Sequence, residues 1–244
     1  MSRVRHYSLT ITLFLLFGYP LSPQDKPPIP AEETWAFKRL SGFTVSPDNK
    51  FGCFVVTEYN VKENKGNGDL YLIELATGKT KRLTTNVGSD NSPAWHPNSR
   101  TIAFISKREG DYAQLHQIDI DGGEASLVTE MPMGAASPKY FPDGKRIAFV
   151  STILPAYEND FDGMKKALKE RKDCKMTAKV SENRFFRYWD TWLTDGYVPH
   201  LYSYNTETKE RKDLTPGLNG LVSSDGSLEY DISPDGQWIS YTCN

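Results

Sequence analysis

The side chains that could carry out acyl transfer do not form a recognisable catalytic centre in this sequence. A nucleophilic serine is often presented by a Gly-x-Ser-x-Gly turn between a strand and a helix, and the serine-containing stretches 88–90 and 223–226 lack that pattern. None of the four histidines stands near a serine and a carboxylate in a triad-like context. We therefore expect no catalytic residue within this chain.

Metal and disulfide chemistry is also weakly indicated. Asp119, Asp121 and Glu124 are close in sequence, but the ligand spacing of a calcium loop is absent, and a Gly-Gly hairpin explains Asp121. We expect neither a metal nor another cofactor. The cysteines are Cys53, Cys174 and Cys243. They lack metal-type spacing, and their odd number allows at most one disulfide bridge.

The elements that position these side chains follow from an internal repeat. Four segments align without gaps, each with a Pro-Asp-Gly-type turn before a small-aromatic strand: 45–56, 95–106, 140–151 and 232–243. Proline presets φ at the second turn position, Asp or Asn can bond the nearby backbone, and Gly supplies positive φ. The spacing gives a unit of about 45 residues, interrupted once, which is the period of a propeller blade.

Each unit continues beyond this turn. The runs 102–105 and 147–150 are short and almost wholly apolar, as expected for a strand covered on both faces. A second hairpin follows, for example over 69–84, in which alternating apolar and polar residues indicate edge-ward strands. The predicted fold is therefore all-β: an incomplete β-propeller of about four antiparallel four-stranded blades, with one helical insertion.

The repeat also assigns structural places to residues that could otherwise suggest chemistry. Cys53 aligns with alanine in two other copies, so we expect a small buried core residue. His96 stands within the turn and is predicted to be a turn residue. His116 alternates with its strand neighbours and is predicted at the surface, whereas His200 begins a strand and is expected to bond a neighbouring loop.

An insertion interrupts the repeat at about 155–192. Asp162 is predicted to cap a short helix that has Met164 and Leu168 on its apolar side. An aromatic cluster follows: Phe185, Phe186, Tyr188, Trp189 and Trp192. One interpretation is that these aromatics fill a long strand and dock the helix on its blade. The other is that the insertion is a lid or specificity element facing a ligand path.

Together these motifs resemble the propeller domain of the prolyl oligopeptidase family of serine peptidases, especially its acylaminoacyl-peptidase and bacterial dipeptidyl-peptidase branch. The likeness runs from about Glu33 to the end. Its most discriminating part is 187–202, where Arg-x-Trp-Asp leads to His-Leu and later to Asp-Leu-Thr. The resemblance implies an α/β-hydrolase domain with a Ser-Asp-His triad, so that this chain is the amino-terminal propeller region, truncated before that domain.

The function implied is that of an exported serine peptidase hydrolysing short peptides, whose propeller gates access to a catalytic domain absent from this chain. Candidate substrate-gating residues are Glu182, Arg184, Arg187, Trp189 and Asp190. The alternative is a non-catalytic periplasmic propeller of the Tol-system type that binds a protein or envelope partner, because such propellers share the Ser-Pro-Asp-Gly turn.

The amino terminus has the layout of a secretory signal peptide. Basic residues precede an apolar run over 9–18 and then a Pro-rich stretch. The run is shorter than the about 20 residues that span a bilayer, although an uncleaved anchor is the alternative. We expect a signal peptide over 1–22, a linker over 23–34 and a partial propeller over 35–244.

Charge and location limit the partners. The formal net charge of -2 shows no surplus that would attract nucleic acid or an anionic membrane surface. After signal cleavage we expect no membrane span, a periplasmic or extracellular location, and peptides as the substrates of the parent enzyme.

Overall fold

The computed structural model describes residues 28–182, 186–189, 191–219 and 227–243, and within them the chain is mainly antiparallel sheet. The strands are β1 (Arg39–Val45), β2 (Phe51–Asn60), β3 (Lys65–Glu74), β4 (Thr80–Arg82), β5 (Asp90–Trp95), β6 (Thr101–Ser106), β7 (Gln114–Asp119), β8 (Ser126–Thr129), β9 (Ala136–Tyr140), β10 (Arg146–Ile153), β11 (Arg187–Tyr188), β12 (Thr191–Trp192), β13 (Val198–Asn205), β14 (Arg211–Asp213), β15 (Tyr230–Ile232) and β16 (Ile239–Tyr241). The helices are α1 (Ala31–Ala36) and α2 (Phe161–Asp173), with 3-10 turns at Pro155–Tyr157 and Leu193–Asp195.

The strands form the predicted blades. The first blade has the order β1-β2-β3-β4, the second β5-β6-β7-β8, and the third β9-β10-β13-β14. A hairpin of β15 and β16 forms the fourth unit, and β11 and β12 form a two-stranded sheet inside the insertion. The all-β, propeller-like architecture with one helical insertion is therefore confirmed.

The repeated turn has the backbone that its residues predict. Asn49, Ser99, Gly144 and Gly236 follow the Asp or Asn of each turn, and their φ angles are 59, 58, 69 and 68°. Each of their N–H groups donates to the carbonyl three residues earlier. Because every copy needs a left-handed residue here, glycine or a small polar residue recurs.

The blades pack through alternate residues of their second strands. Ile102 and Phe104 of β6 pack in a cluster with the first blade, whereas Ala103 and Ile105 pack in a cluster with the third. All four are buried. The second strand is thus covered on both faces, as its apolar run predicts, since side chains alternate across a sheet.

The third strands differ from the prediction. They were expected to alternate like edge strands, but Gln114, Leu115 and His116 at the start of β7 are all buried. The surface placement of His116 is wrong: its side chain is 1% exposed. The neighbouring blades cover both faces of the third strand. Burial lowers the pKa of His116, so that the ring stays neutral and its Nδ1 donates to the Gln114 carbonyl at 3.2 Å.

The structural places of Cys53 and His96 are confirmed. Cys53 is fully buried, and burial raises the pKa of its thiol to about 12. His96 Nδ1 accepts from the Asn98 N–H at 2.9 Å, which leaves Nε2 to donate to the Gly144 carbonyl at 2.8 Å. A turn of the second blade therefore bonds a turn of the third.

The described part of the chain contains no helix with the length and hydropathy that a membrane crossing requires.

Candidate functional site

The insertion begins directly after β10 and is anchored by a capped helix. Asp160, with non-helical φ and ψ of -132 and 82°, accepts from the Gly163 N–H at 2.8 Å and is the N-cap of α2. The predicted cap, Asp162, is wrong. Asp162 lies inside the first turn of α2. An N-cap residue must precede the first turn with a non-helical backbone, so that its side chain can accept from the N–H groups of that turn.

The apolar side of α2 docks on the core between the second and third blades. Met164 is completely buried, and Phe161, Ala167 and Leu168 pack against the same cluster. The Phe161 ring lies 6.4 Å from that of Tyr202 in an edge-to-face arrangement. The predicted apolar side of the helix is therefore confirmed.

For three of the clustered aromatics, Phe186, Tyr188 and Trp189, the interpretation that they fill a strand and dock the helix is wrong. Phe186, Tyr188 and Trp189 are 42%, 36% and 83% exposed. They lie on or beside the short β11–β12 hairpin, while α2 is held by its own apolar residues. Phe185 lies outside the described residues. The hairpin thus presents aromatic surface to solvent.

The candidate gating residues partly converge on this hairpin. Arg187 faces Trp192 across the strands, and its guanidinium lies 5.4 Å from the Trp192 ring. Trp189 has a φ of 52°, an uncommon backbone for a bulky residue, and such backbones cluster at ligand-binding positions. Glu182 is exposed on the preceding segment. Arg184 and Asp190 lie outside the described residues.

A cleft of about 850 Å³ opens between α2, the segment after it and the loops of the second blade. Its charged lining consists of Lys165, Lys169, Arg171, Lys172, Lys179, Asp111, Asp173 and Asp195. Lys172 pairs with Asp111 at 2.7 Å, which ties the helix to the second blade. This pair is largely exposed, so water and dissolved salt screen the attraction between its charges. Lys165 and Lys179 are likewise paired, with Glu130 and Asp195, so the excess of cationic over acidic side chains is small.

His200 lies at the base of the insertion. It is fully buried, its Nε2 donates to the Leu218 carbonyl at 2.9 Å, and its Nδ1 lies 2.7 Å from an Asp213 oxygen. The expected bond to a neighbouring loop is confirmed. The sequence did not predict that Asp213 would be its partner, although His200 begins the His-Leu motif and Asp213 begins the Asp-Leu-Thr motif.

The weak calcium-loop candidate has another explanation. Arg100 donates to both Asp119 and Asp121 on the β7 turn. These carboxylates are thus neutralised by a guanidinium from the turn before β6, which is an ordinary contact between neighbouring turns.

Comparison with known proteins decides the family. The model of the TolB beta propeller domain matches residues 44–184. The chain belongs to this family. Its repeated four-stranded sheets agree with this family. The chain is 36% identical over 107 residues to the protein TolB homolog of Chlorobium chlorochromatii, covering 44% of this chain and 22% of that protein.

Longer matches are to peptidases. The TolB-type propeller is 27% identical over 216 residues to the uncharacterized peptidase YuxL of Bacillus subtilis, covering 88% of this chain and 31% of the relative. It is 28% identical over 211 residues to dipeptidyl-peptidase 5 of Porphyromonas endodontalis, covering 83% of this chain and 29% of the relative. The chain thus spans less than a third of these relatives. The expected kinship with dipeptidyl-peptidases is confirmed.

The fold also matches a solved peptidase. The acylaminoacyl peptidase of Pyrococcus horikoshii superposes with a TM-score of 0.56 at 19% identity, covering 77% of this chain and 27% of that one. At this identity the likeness shows the propeller fold alone.

Proposed function

We propose that this chain is the amino-terminal propeller of an exported serine peptidase that hydrolyses short peptides. The supporting observation is its similarity to dipeptidyl-peptidase 5 over most of the chain. The chemistry would lie in an α/β-hydrolase domain of the parent protein. This propeller would hold no catalytic residue and would select what reaches that domain.

The proposed organisation keeps the expected boundaries: a signal peptide over 1–22, a Pro-rich linker over 23–34, and a propeller over 35–244 with its insertion at about 155–192. Helix α1 begins at Ala31, so regular structure starts inside the proposed linker. The signal peptide lies outside the described residues. Sequencing the amino terminus of the exported protein tests it, and a start near residue 19 or 23 is expected.

The insertion is the proposed gate. Arg187 and Trp189 share an exposed hairpin, and the adjoining cleft carries more cationic than acidic side chains. An apolar peptide side chain would stack on the aromatic surface, because aromatic rings bury large area at little entropic cost. A peptide carboxylate would be attracted to the cleft. Glu182 is exposed on the segment before the hairpin, and Arg184 and Asp190 remain proposed gating residues from the sequence.

The gate is tested on the complete parent protein. Trp189→Ala should change KM for short peptides while labelling of the serine by a fluorophosphonate probe is retained. Trp238→Ala is the control. Trp238 is likewise highly exposed, at 74%, but it lies on the turn of the fourth unit. Equal kinetics for both variants would contradict a gating role for the hairpin.

The second candidate is a non-catalytic TolB-type propeller that binds a protein or envelope component. The similarity to the Chlorobium TolB homolog favours it. Under this function the complete parent protein is not labelled by the fluorophosphonate probe and releases no dipeptide from a test peptide. Labelling together with dipeptide release would exclude it.

A further inference from the structure

The buried histidine at the base of the insertion bonds acceptors through both ring nitrogens. His200 Nδ1 lies 2.7 Å from Asp213 Oδ2, and Nε2 lies 2.9 Å from the Leu218 carbonyl. Both partners are acceptors, and a neutral imidazole has only one N–H to donate. The geometry is complete only when the ring carries two protons.

The same cluster fixes the loop that leaves the third blade. Asp213 Oδ1 accepts from the Thr215 N–H at 2.8 Å, and Glu158 Oε1 accepts from the Gly217 N–H at 3.0 Å. Glu158 follows the 3-10 turn that opens the insertion. Three separate segments, the insertion base, β14 and the loop after β14, therefore meet around one ring.

We propose that His200 is a proton-dependent clip, which in its charged form holds the base of the insertion against the connection from the third blade to the fourth unit. The proton supplies the second donor and also balances the Asp213 carboxylate. When this proton is lost, either the Asp213 carboxylate or the Leu218 carbonyl faces the lone pair of an unprotonated ring nitrogen. This role does not depend on the parent protein being a peptidase.

The groups around the ring favour the charged form. Asp213 faces it from β14 and Glu158 from the insertion base, and both are acidic. On β13 itself the neighbour is Tyr202, and burial raises the pKa of Tyr202 well above its usual range, so that its phenol is neutral. The loop contributes the Leu218 carbonyl, which is another acceptor.

The direction of the pKa shifts agrees with this geometry. Burial by itself lowers the pKa of His200, but the bonds to Asp213 and the Leu218 carbonyl outweigh it, and the pKa rises above its ordinary 6.5. Burial likewise raises the pKa of Asp213, but the bonds from His200 and Thr215 leave it below its ordinary 3.8.

The sign of the pH dependence follows. A raised histidine pKa gives stability that is complete below about 6.5 and is lost as the pH rises through the folded-state pKa. Between about 6.5 and that folded-state pKa each pH unit weakens the clip by up to about tenfold, and above it nothing further is lost. At the acid end the clip fails only when Asp213 is protonated, below its ordinary value. The clip is therefore closed in mildly acidic solution and opens as the pH rises through the folded-state pKa of His200.

Zinc is the competing occupant, because Glu158, His200 and Asp213 bring donor atoms within 4.8 Å of one another. Two donors on a tetrahedral zinc are about 3.3 Å apart, given metal-ligand distances of about 2.0–2.1 Å. The 2.7 Å between His200 and Asp213 is instead the length of a charge-assisted hydrogen bond. The distance between the two side chains therefore favours a hydrogen bond over a bound zinc ion.

The first test follows the ring itself. In the full chain, the ¹⁵N signals of His200 should show two N–H groups at pH 6 and should titrate above the ordinary histidine value. In Asp213→Asn the titration should move to lower pH, because the attracting charge is gone. A singly protonated ring at pH 6, or a midpoint that is the same in both proteins, would overturn the proposal.

The second test follows the insertion. Trypsin cleavage at its lysines, followed from pH 6 to 10 and normalised to a denatured standard, should accelerate by up to about tenfold per pH unit from about pH 6.5 to the midpoint and should level off above it. His200→Gln should be cleaved fast at every pH, whereas the turn variant His96→Gln should keep the wild-type profile. A wild-type profile in His200→Gln, or protection that needs zinc and is removed by a chelator, would refute the proton clip.

Discussion

Replacing Gly144 with alanine tests whether the turns of adjacent blades support one another. Gly144 has a φ of 69°, and a Cβ added there would lie 2.9 Å from Cε1 of His96. A non-glycine residue in this conformation costs about 1–2 kcal/mol. Moving the ring also removes its 2.8 Å bond to the Gly144 carbonyl, worth about 1 kcal/mol. We expect the free energy of unfolding to fall by about 2–3 kcal/mol.

Two controls separate the backbone term from the contact. Gly78 has a φ of 71°, and a Cβ there meets nothing within 4 Å. Gly78→Ala should therefore cost only the about 1–2 kcal/mol of backbone strain. In a His96→Ser background, Gly144→Ala should cost about the same, because serine occupies this turn position in the first and fourth copies of the repeat.

Urea unfolding of the chain, followed by tryptophan fluorescence, measures these differences from the midpoints at constant slope. If Gly144→Ala and Gly78→Ala destabilise the chain equally, the turns do not act across the blades. If the His96→Ser background leaves the cost of Gly144→Ala unchanged, the ring is not the obstacle. Either result would refute the reasoning.

Further predictions concern the insertion and the cysteines. Met164→Ala should cost about 2–4 kcal/mol of local stability, because it empties a buried site, and faster trypsin cleavage of the insertion would show it. Asp160→Ala should lower the stability of α2 by about 1 kcal/mol while Asp162→Ala changes it little, and thermal melts of the two variants distinguish the caps. Cys53 should resist iodoacetamide in the native chain while Cys174 reacts, because burial raises the pKa of the Cys53 thiol to about 12 whereas Cys174 is exposed; mass spectrometry of the alkylated protein checks this.

The turns and second strands could be predicted because their causes are local. The left-handed residue after Asp48 or Asp143 follows from the turn type, and its identity in each copy satisfies that need. The apolar run at 102–105 already excluded a half-exposed strand. The apolar side of α2 was equally readable, because helical periodicity alone brings Met164 and Leu168 together.

The failures share a different cause. Asp160 and Asp162 are both suitable cap residues, and the choice between them depends on where the backbone leaves the 3-10 turn. One interpretation placed the aromatics after α2 in the core because of their type, yet the residues of α2 that pack against the core are Met164, Phe161, Ala167 and Leu168. Which apolar side chains are buried therefore depends on the tertiary arrangement and not on residue type alone.

The sequence by itself determined the repeat, the conformation of its turns and the buried place of Cys53. The turns follow from neighbouring residues, and the place of Cys53 follows from alignment of the repeat copies. Only the tertiary structure decided that His116 is buried and that His200 meets Asp213 and Glu158. Antiparallel register brings β14 beside β13, and stacking of blades covers faces that look half polar in the sequence. Burial and charge pairing depend on residues that are far apart in the chain, and a local sequence pattern does not predict which of these residues come into contact.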